Sequence, residues 1–258
     1  MTAASPPPPL LFDGPPVDLA RLARRVLWTT VGLIVLLALA DVVVNWLEAI
    51  DAEAAQKLCN TANEQSIPTW FSATQFVLVG LAGLLAAWAV RRRNGESALR
   101  AGCLVVGFFF IFLGLDDATE LHERLGTIFA NMHGGEEAQE SYGWQRFVLP
   151  VYLVVGVVGL VLVGPGLQRR GLLRWFLVGG LLMAFAQGLD YLEGRDSFDP
   201  WAKETAGAWG VDKYDITHPI LMLEELSEML GVTFIGQAFL RLLARTLDGQ
   251  RLSLVGPP

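Results

Sequence analysis

Apolar residues gather in six long runs along this chain, at roughly 26–47, 69–90, 101–121, 147–165, 172–192 and 219–241, separated by charged and turn-forming segments. A run of about 20 apolar residues crosses a bilayer as a helix, which satisfies its own backbone hydrogen bonds where water is absent. The strands of a membrane barrel would alternate in polarity over about ten residues, and these runs do not. The pattern therefore predicts an all-α, polytopic membrane bundle of six transmembrane helices over 26–245. A Pro-rich, disordered cytoplasmic lead (1–25) precedes it and a short cytoplasmic tail (246–258) follows. Arg24, Arg25 and Ala38-Leu39-Ala40 resemble a secretory signal, but Val42, Val43, Val44 and Trp46 extend the run to spanning length. It is read as a retained first span.

Composition agrees: 53% of the 258 residues are hydrophobic and 17% charged, too apolar for an ordinary soluble domain. Charge then gives an orientation. With both termini on one side, 13 of the 19 Lys and Arg lie there, and only 4 of the 26 acids. By the positive-inside rule that side is cytoplasmic, which predicts an inner-membrane, multi-pass protein with N and C termini inside. The acidic outer face repels nucleic acid and favours cations. Cys59 and Cys103 fall toward opposite faces, so no disulfide is expected.

Within the spans the polar residues are unevenly distributed. Asp41, Asp116 and Asp190 each follow an arginine (Arg25, Arg100, Arg174) by 16 residues. At about 1.5 Å per residue they share one layer, roughly 24 Å from the basic face of a core about 30 Å thick. Asp116, Glu120 and Glu123 fall on one helical stripe, as do Asp41, Asn45 and Glu48, and as do Gln187, Asp190 and Glu193. The last span starts from His218-Pro219, with proline at the first helical position, and carries Glu224, Glu225 and Glu228. Glu228 lies about 14 Å down, the deepest acid of the chain. Ionisable groups at such depth are costly and mark sites.

Carboxylates one turn apart on several facing helices, together with a histidine, are how helical bundles build dinuclear metal sites. The ligand set expected here is Asp116, Asp190, Glu224 and Glu228, with Asp41, Glu120 and His122 as further ligands or as groups that orient them. Oxygen and imidazole donors together suit Zn, Fe or Mn. His122 lies about 120° around the wheel from Asp116, so it reaches the site only if the helix ends near Glu120. The plainer reading of Glu48, Glu120, Glu123 and Glu193, near the interface, is solvation or pairing with loop arginines; His133 and His218 read as loop residues. Phe108 to Phe110 read as lipid-facing or packing residues, and Trp46, Trp70, Trp144 and Trp201 as an outer aromatic belt. Gly80, Gly83, Gly179 and Gly180 read as close helix contacts.

Asp116-Asp117-x4-His122-Glu123, the Ser66-Ile67-Pro68-Thr69-Trp70-Phe71-Ser72 segment and Glu224-Glu225-Leu226-Ser227-Glu228-Met229 carry a resemblance. On them the chain resembles an uncharacterised family of bacterial multi-spanning membrane proteins with a DE-x4-HE pattern and a Glu-Glu-x-x-Glu-Met last span. Asp117 stands where that pattern has Glu. The resemblance covers 26–245 and implies a membrane bundle without an assigned activity. No phosphate-binding loop, dinucleotide glycine pattern, haem-attachment motif or nucleophile elbow occurs. The functional expectation is a lipid-embedded metal-binding protein, a metalloenzyme acting on a lipid or periplasmic substrate. The alternatives are a proton- or cation-coupled transporter and an assembly subunit that contacts another membrane protein.

Overall fold

The computed structural model describes residues 18–93, 95–132, 145 and 148–247. The start of the Pro-rich lead, the tail beyond 247, His133, Trp144 and the acidic loop at 136–140 lie outside them. Among the described residues there are nine α-helices, one π-helical turn and no strand. In chain order they are α1 (Leu19–Asp41), continued by the π turn Val42–Trp46, α2 (Glu53–Cys59), α3 (Ile67–Arg92), α4 (Ser97–Thr119), α5 (Leu121–Met132), α6 (Leu149–Arg169), α7 (Leu173–Glu193), α8 (Phe198–Trp209) and α9 (Lys213–Leu247). Six of these helices (α1 with its π turn, α3, α4, α6, α7 and α9) are long and apolar enough to cross a membrane, which makes the chain a multi-pass helical protein.

Local chemistry fixes the helix starts. Asp18 caps α1 by accepting from the Arg21 amide, and Ser66 caps α3 by accepting from the Thr69 amide with Pro68 in the first turn. The last span departs from expectation, since α9 begins at Lys213 and Pro219 lies inside it. A proline in the second turn removes only one backbone hydrogen bond. Contacts around the first turns hold them in place: Lys213 pairs with Asp199 of α8, and the Tyr214 ring stacks on His218 at 4.6 Å.

α9 is the central element, packed on α7, α3 and α1, while α4 bridges α3 to α6. Two glycine contacts set the tight pairs. A Cβ at Gly80 would meet the Gly107 carbonyl at 2.6 Å, and one at Gly179 would meet the Gly231 carbonyl at 2.5 Å, so α3 with α4 and α7 with α9 pack backbone to backbone. Gly180 differs: a Cβ there meets nothing within 4 Å. α6 and α7 are joined by a short turn yet share almost no packing. Near that turn the space between α3, α4, α6 and α9 is filled by Val90, Leu99, Cys103, Val163, Leu167, Phe239 and Leu242. Its rim is where Leu19 packs beside Leu243 and Leu247, and where Glu96 pairs with Arg169 and Arg170. The acidic residues gather at the other end.

Candidate functional site: an acidic cavity

Where α6 and α7 part, a cavity of about 720 Å³ opens between them, walled also by α4 and α9 and roofed by residues 61–64. Nine carboxyl groups line it: Glu64, Asp116, Asp117, Glu120, Glu123, Asp190, Glu224, Glu225 and Glu228. His122 joins them, and no Lys or Arg does among the described lining residues.

Asp116 and His122 meet because α4 stops at Thr119. Glu120 takes the left-handed conformation (φ 52°) as its C-cap, and α5 starts afresh at Leu121. The break swings His122 back over the end of α4. Its amide donates to Asp116 Oδ1 at 2.8 Å, and its Nδ1 lies 3.1 Å from Oδ2, which also accepts from the Tyr152 hydroxyl at 2.7 Å. Burial disfavours the imidazolium, but the hydrogen bond and charge of Asp116 hold the His122 pKa above its ordinary value.

The same break brings Glu120 and Glu123 to Glu64 of the roof, so that one oxygen from each lies within 4.8 Å of the others. Burial, then the Glu120 carboxyl and the Glu123 charge, push Glu64 up to about 7, and burial raises Glu123 as well. Glu120 also pairs with Arg124 at 3.6 Å, so one member of the trio has a basic partner. Deeper in, Ser72 donates to Glu228 at 3.4 Å and Gln145 to Asp190 at 3.2 Å. Asp117 Oδ2 is buried and has no hydrogen-bond partner among the described residues. Burying a carboxylate oxygen without a partner is costly unless a proton or a cation meets it.

Of the residues expected from sequence, Asp116, Asp190, Glu224, Glu228, Glu120 and His122 all line this cavity. Asp41 does not. It is fully buried in a separate knot, with His218 Nε2 at 3.1 Å, the Asn45 amide at 2.8 Å and the Thr61 amide at 2.9 Å, the Thr61 hydroxyl also donating to it. His218 is accordingly a buried partner within α9 and not a loop residue. The π turn carries Asn45 back over Asp41. Glu48, beyond that turn at φ 48°, leaves the expected stripe.

Phe109 and Phe110 also line the cavity, Phe110 buried against Phe76 at 5.7 Å, while Phe108 faces outward. Glu64, Tyr152 and Gln145 were not anticipated, because single residues in a loop or at a helix start carry no periodic signal. Asp117, Glu123 and Glu225 lay on or beside the stripes, and a count of acids by depth would have included them.

Fold and cavity define a class: a polytopic helical membrane protein with a carboxylate-lined chamber. The chain belongs to the family described as "Domain of unknown function (DUF8692)", which it matches over residues 28–242. No curated protein and no solved structure matches it.

Proposed function

We propose that this protein binds a divalent cation in the acidic cavity. One observation carries the reading: nine carboxyl groups and one imidazole line a chamber to which the described residues contribute no Lys or Arg. The Glu64, Glu120 and Glu123 oxygens offer one ligand cluster, and Asp117, Asp190, Glu224, Glu225 and Glu228 offer deeper oxygens. Mixed oxygen and imidazole donors favour Zn, Fe or Mn. The Asp116–His122 contact resembles the carboxylate–histidine pairs that fix a ligating ring. A bound cation would act as a Lewis acid and lower the pKa of a coordinated water. The proposed context is an inner-membrane metalloenzyme with an outward-facing site, acting on a lipid or periplasmic substrate.

Against the carrier reading, Leu99, Val163, Leu167 and Phe239 pack the bundle toward the basic face, and the buried polar groups there along α3 and α9, Gln75, Thr233 and Gln237, carry no charge. Metal analysis of purified protein tests the proposal. Wild type should hold metal and lose melting temperature on chelation, and Glu228→Ala should bind less. Wild-type protein that carries no metal and gains no stability from Zn, Mn, Fe, Ca or Mg would remove the reading.

A further inference from the structure

The acids occupy only one end of the chamber. Along α7, cavity-lining residues run from Asp190 back to Phe176 and Leu177. That is roughly 20 Å at about 1.5 Å per residue, more than the hydrocarbon depth of one leaflet. Opposite, α4 and α6 contribute Phe109, Phe110 and Leu160. The chamber is therefore a hydrocarbon slot capped by carboxylates.

Its side is open. Leu153 and Val157 of α6 and Leu177 and Leu181 of α7 line the cavity, yet are 59%, 60%, 40% and 70% exposed. Side chains that face both the chamber and the exterior are the lips of a port. Gly156 and Gly180 line the cavity between them, and a Cβ on either meets nothing within 4 Å. A gap at this height between two spanning helices opens toward lipid chains, not toward water.

We propose that a bilayer lipid with a protonated amine in its head group enters this port sideways, laying an acyl chain in the slot and its ammonium among the carboxylates. The inference rests on the reading of the acidic layer as a cation-receiving surface. It adds the substrate class and the route. Charge chooses the head group: a net anionic lipid would meet nine carboxyl groups with no Lys or Arg among the described lining residues, Arg124 pairing with Glu120 alone, whereas an ammonium is attracted to that layer. A phosphate or ester oxygen of the same lipid would remain available to a bound divalent cation.

The test uses the full chain in nanodiscs containing phosphatidylethanolamine or phosphatidylglycerol with the same diazirine-tagged acyl chain, with labelled residues mapped by mass spectrometry. The amine lipid should label Phe109, Leu160 or Met183 several-fold more than the glycerol lipid does. Gly180→Leu and Gly156→Leu, which place a side chain in the port, should each cut that labelling several-fold. Gly32→Leu, equally unobstructed but on α1, should not. Equal labelling by both lipids, or interior labelling that survives both port variants, would overturn the proposal. Metal content is measured on the same samples: metal without interior labelling removes the lipid port alone, and selective labelling without metal removes the metal reading alone.

Discussion

Two aspartate–histidine pairs sit in this molecule with the same 3.1 Å nitrogen–oxygen separation and opposite surroundings. Asp41 and His218 come from α1 and α9, and their side chains are 0% and 2% exposed. Asp116 and His122 are six residues apart across a helix break, with side chains 5% and 26% exposed, and both line the cavity. Asp41 accepts from Asn45, from the Thr61 amide and hydroxyl, and faces His218, so its oxygens are filled by protein. It is a clasp tying the first span and the roof loop to the last span. Asp116 also has protein partners, but its histidine stands at the wall of a chamber. The same pair of side chains is enclosed by protein at one place and borders a void at the other.

Removing the clasp should have the largest effect. Asp41→Ala leaves His218 and the Thr61 donors buried without their acceptor, an expected loss of about 3–5 kcal/mol. Chemical denaturation in detergent measures it, and metal content per folded molecule should not change. Lost metal with intact stability would mean that the two pairs do not divide in this way.

Asp116→Ala comes next and should act on affinity more than on stability. Losing the group that holds the His122 ring should weaken metal binding by about 10–100-fold, the usual range for such orienting partners, and calorimetric titration reads it directly. If Asp116→Ala unfolds the protein as severely as Asp41→Ala, the open pair is a clasp too.

A smaller effect is expected from pH. Glu64 titrates near 7 in the folded protein because of burial and its neighbours Glu120 and Glu123, above its ordinary value of 4.5. The folded state therefore holds this proton more tightly. The stabilisation that results is complete below about 4.5 and is lost as pH rises through about 7. His122, also raised, contributes with the same sign. Metal-free protein should melt at progressively lower temperature across that window, added metal should reverse the trend, and Glu64→Gln should flatten it. A metal-free melting temperature that rises from pH 5 to 7.5 would contradict the acid cluster.

The last expectation is one of access alone. An aqueous histidine-modifying reagent should reach His122 much faster than His218, and only from the outer side. Reporter fusions near Arg92 and Arg170 should read as cytoplasmic and those near Lys203 as external. Fusions near Lys203 that read as cytoplasmic would reverse the proposed orientation.

The span count was legible in the sequence because a bilayer-length apolar run has few alternatives to a helix, and counting residues at a fixed rise grouped Asp116, Asp190, Glu224 and Glu228, which line one cavity. Periodicity also showed which side of each helix was polar. It could not show which helices face one another, so Asp41, counted to the same layer, was grouped with a cavity that Thr61 lines in its place. Nor could it say that Glu120 turns left-handed, the event that lets His122 reach Asp116 and delivers Glu120 and Glu123 to Glu64. Helix formation is written in short-range pattern, because its hydrogen bonds close within four residues. Which acids share one chamber depends on helix pairing and on a single backbone reversal, and those are settled only when glycine contacts, the buried clasp and the parting of α6 from α7 are satisfied together.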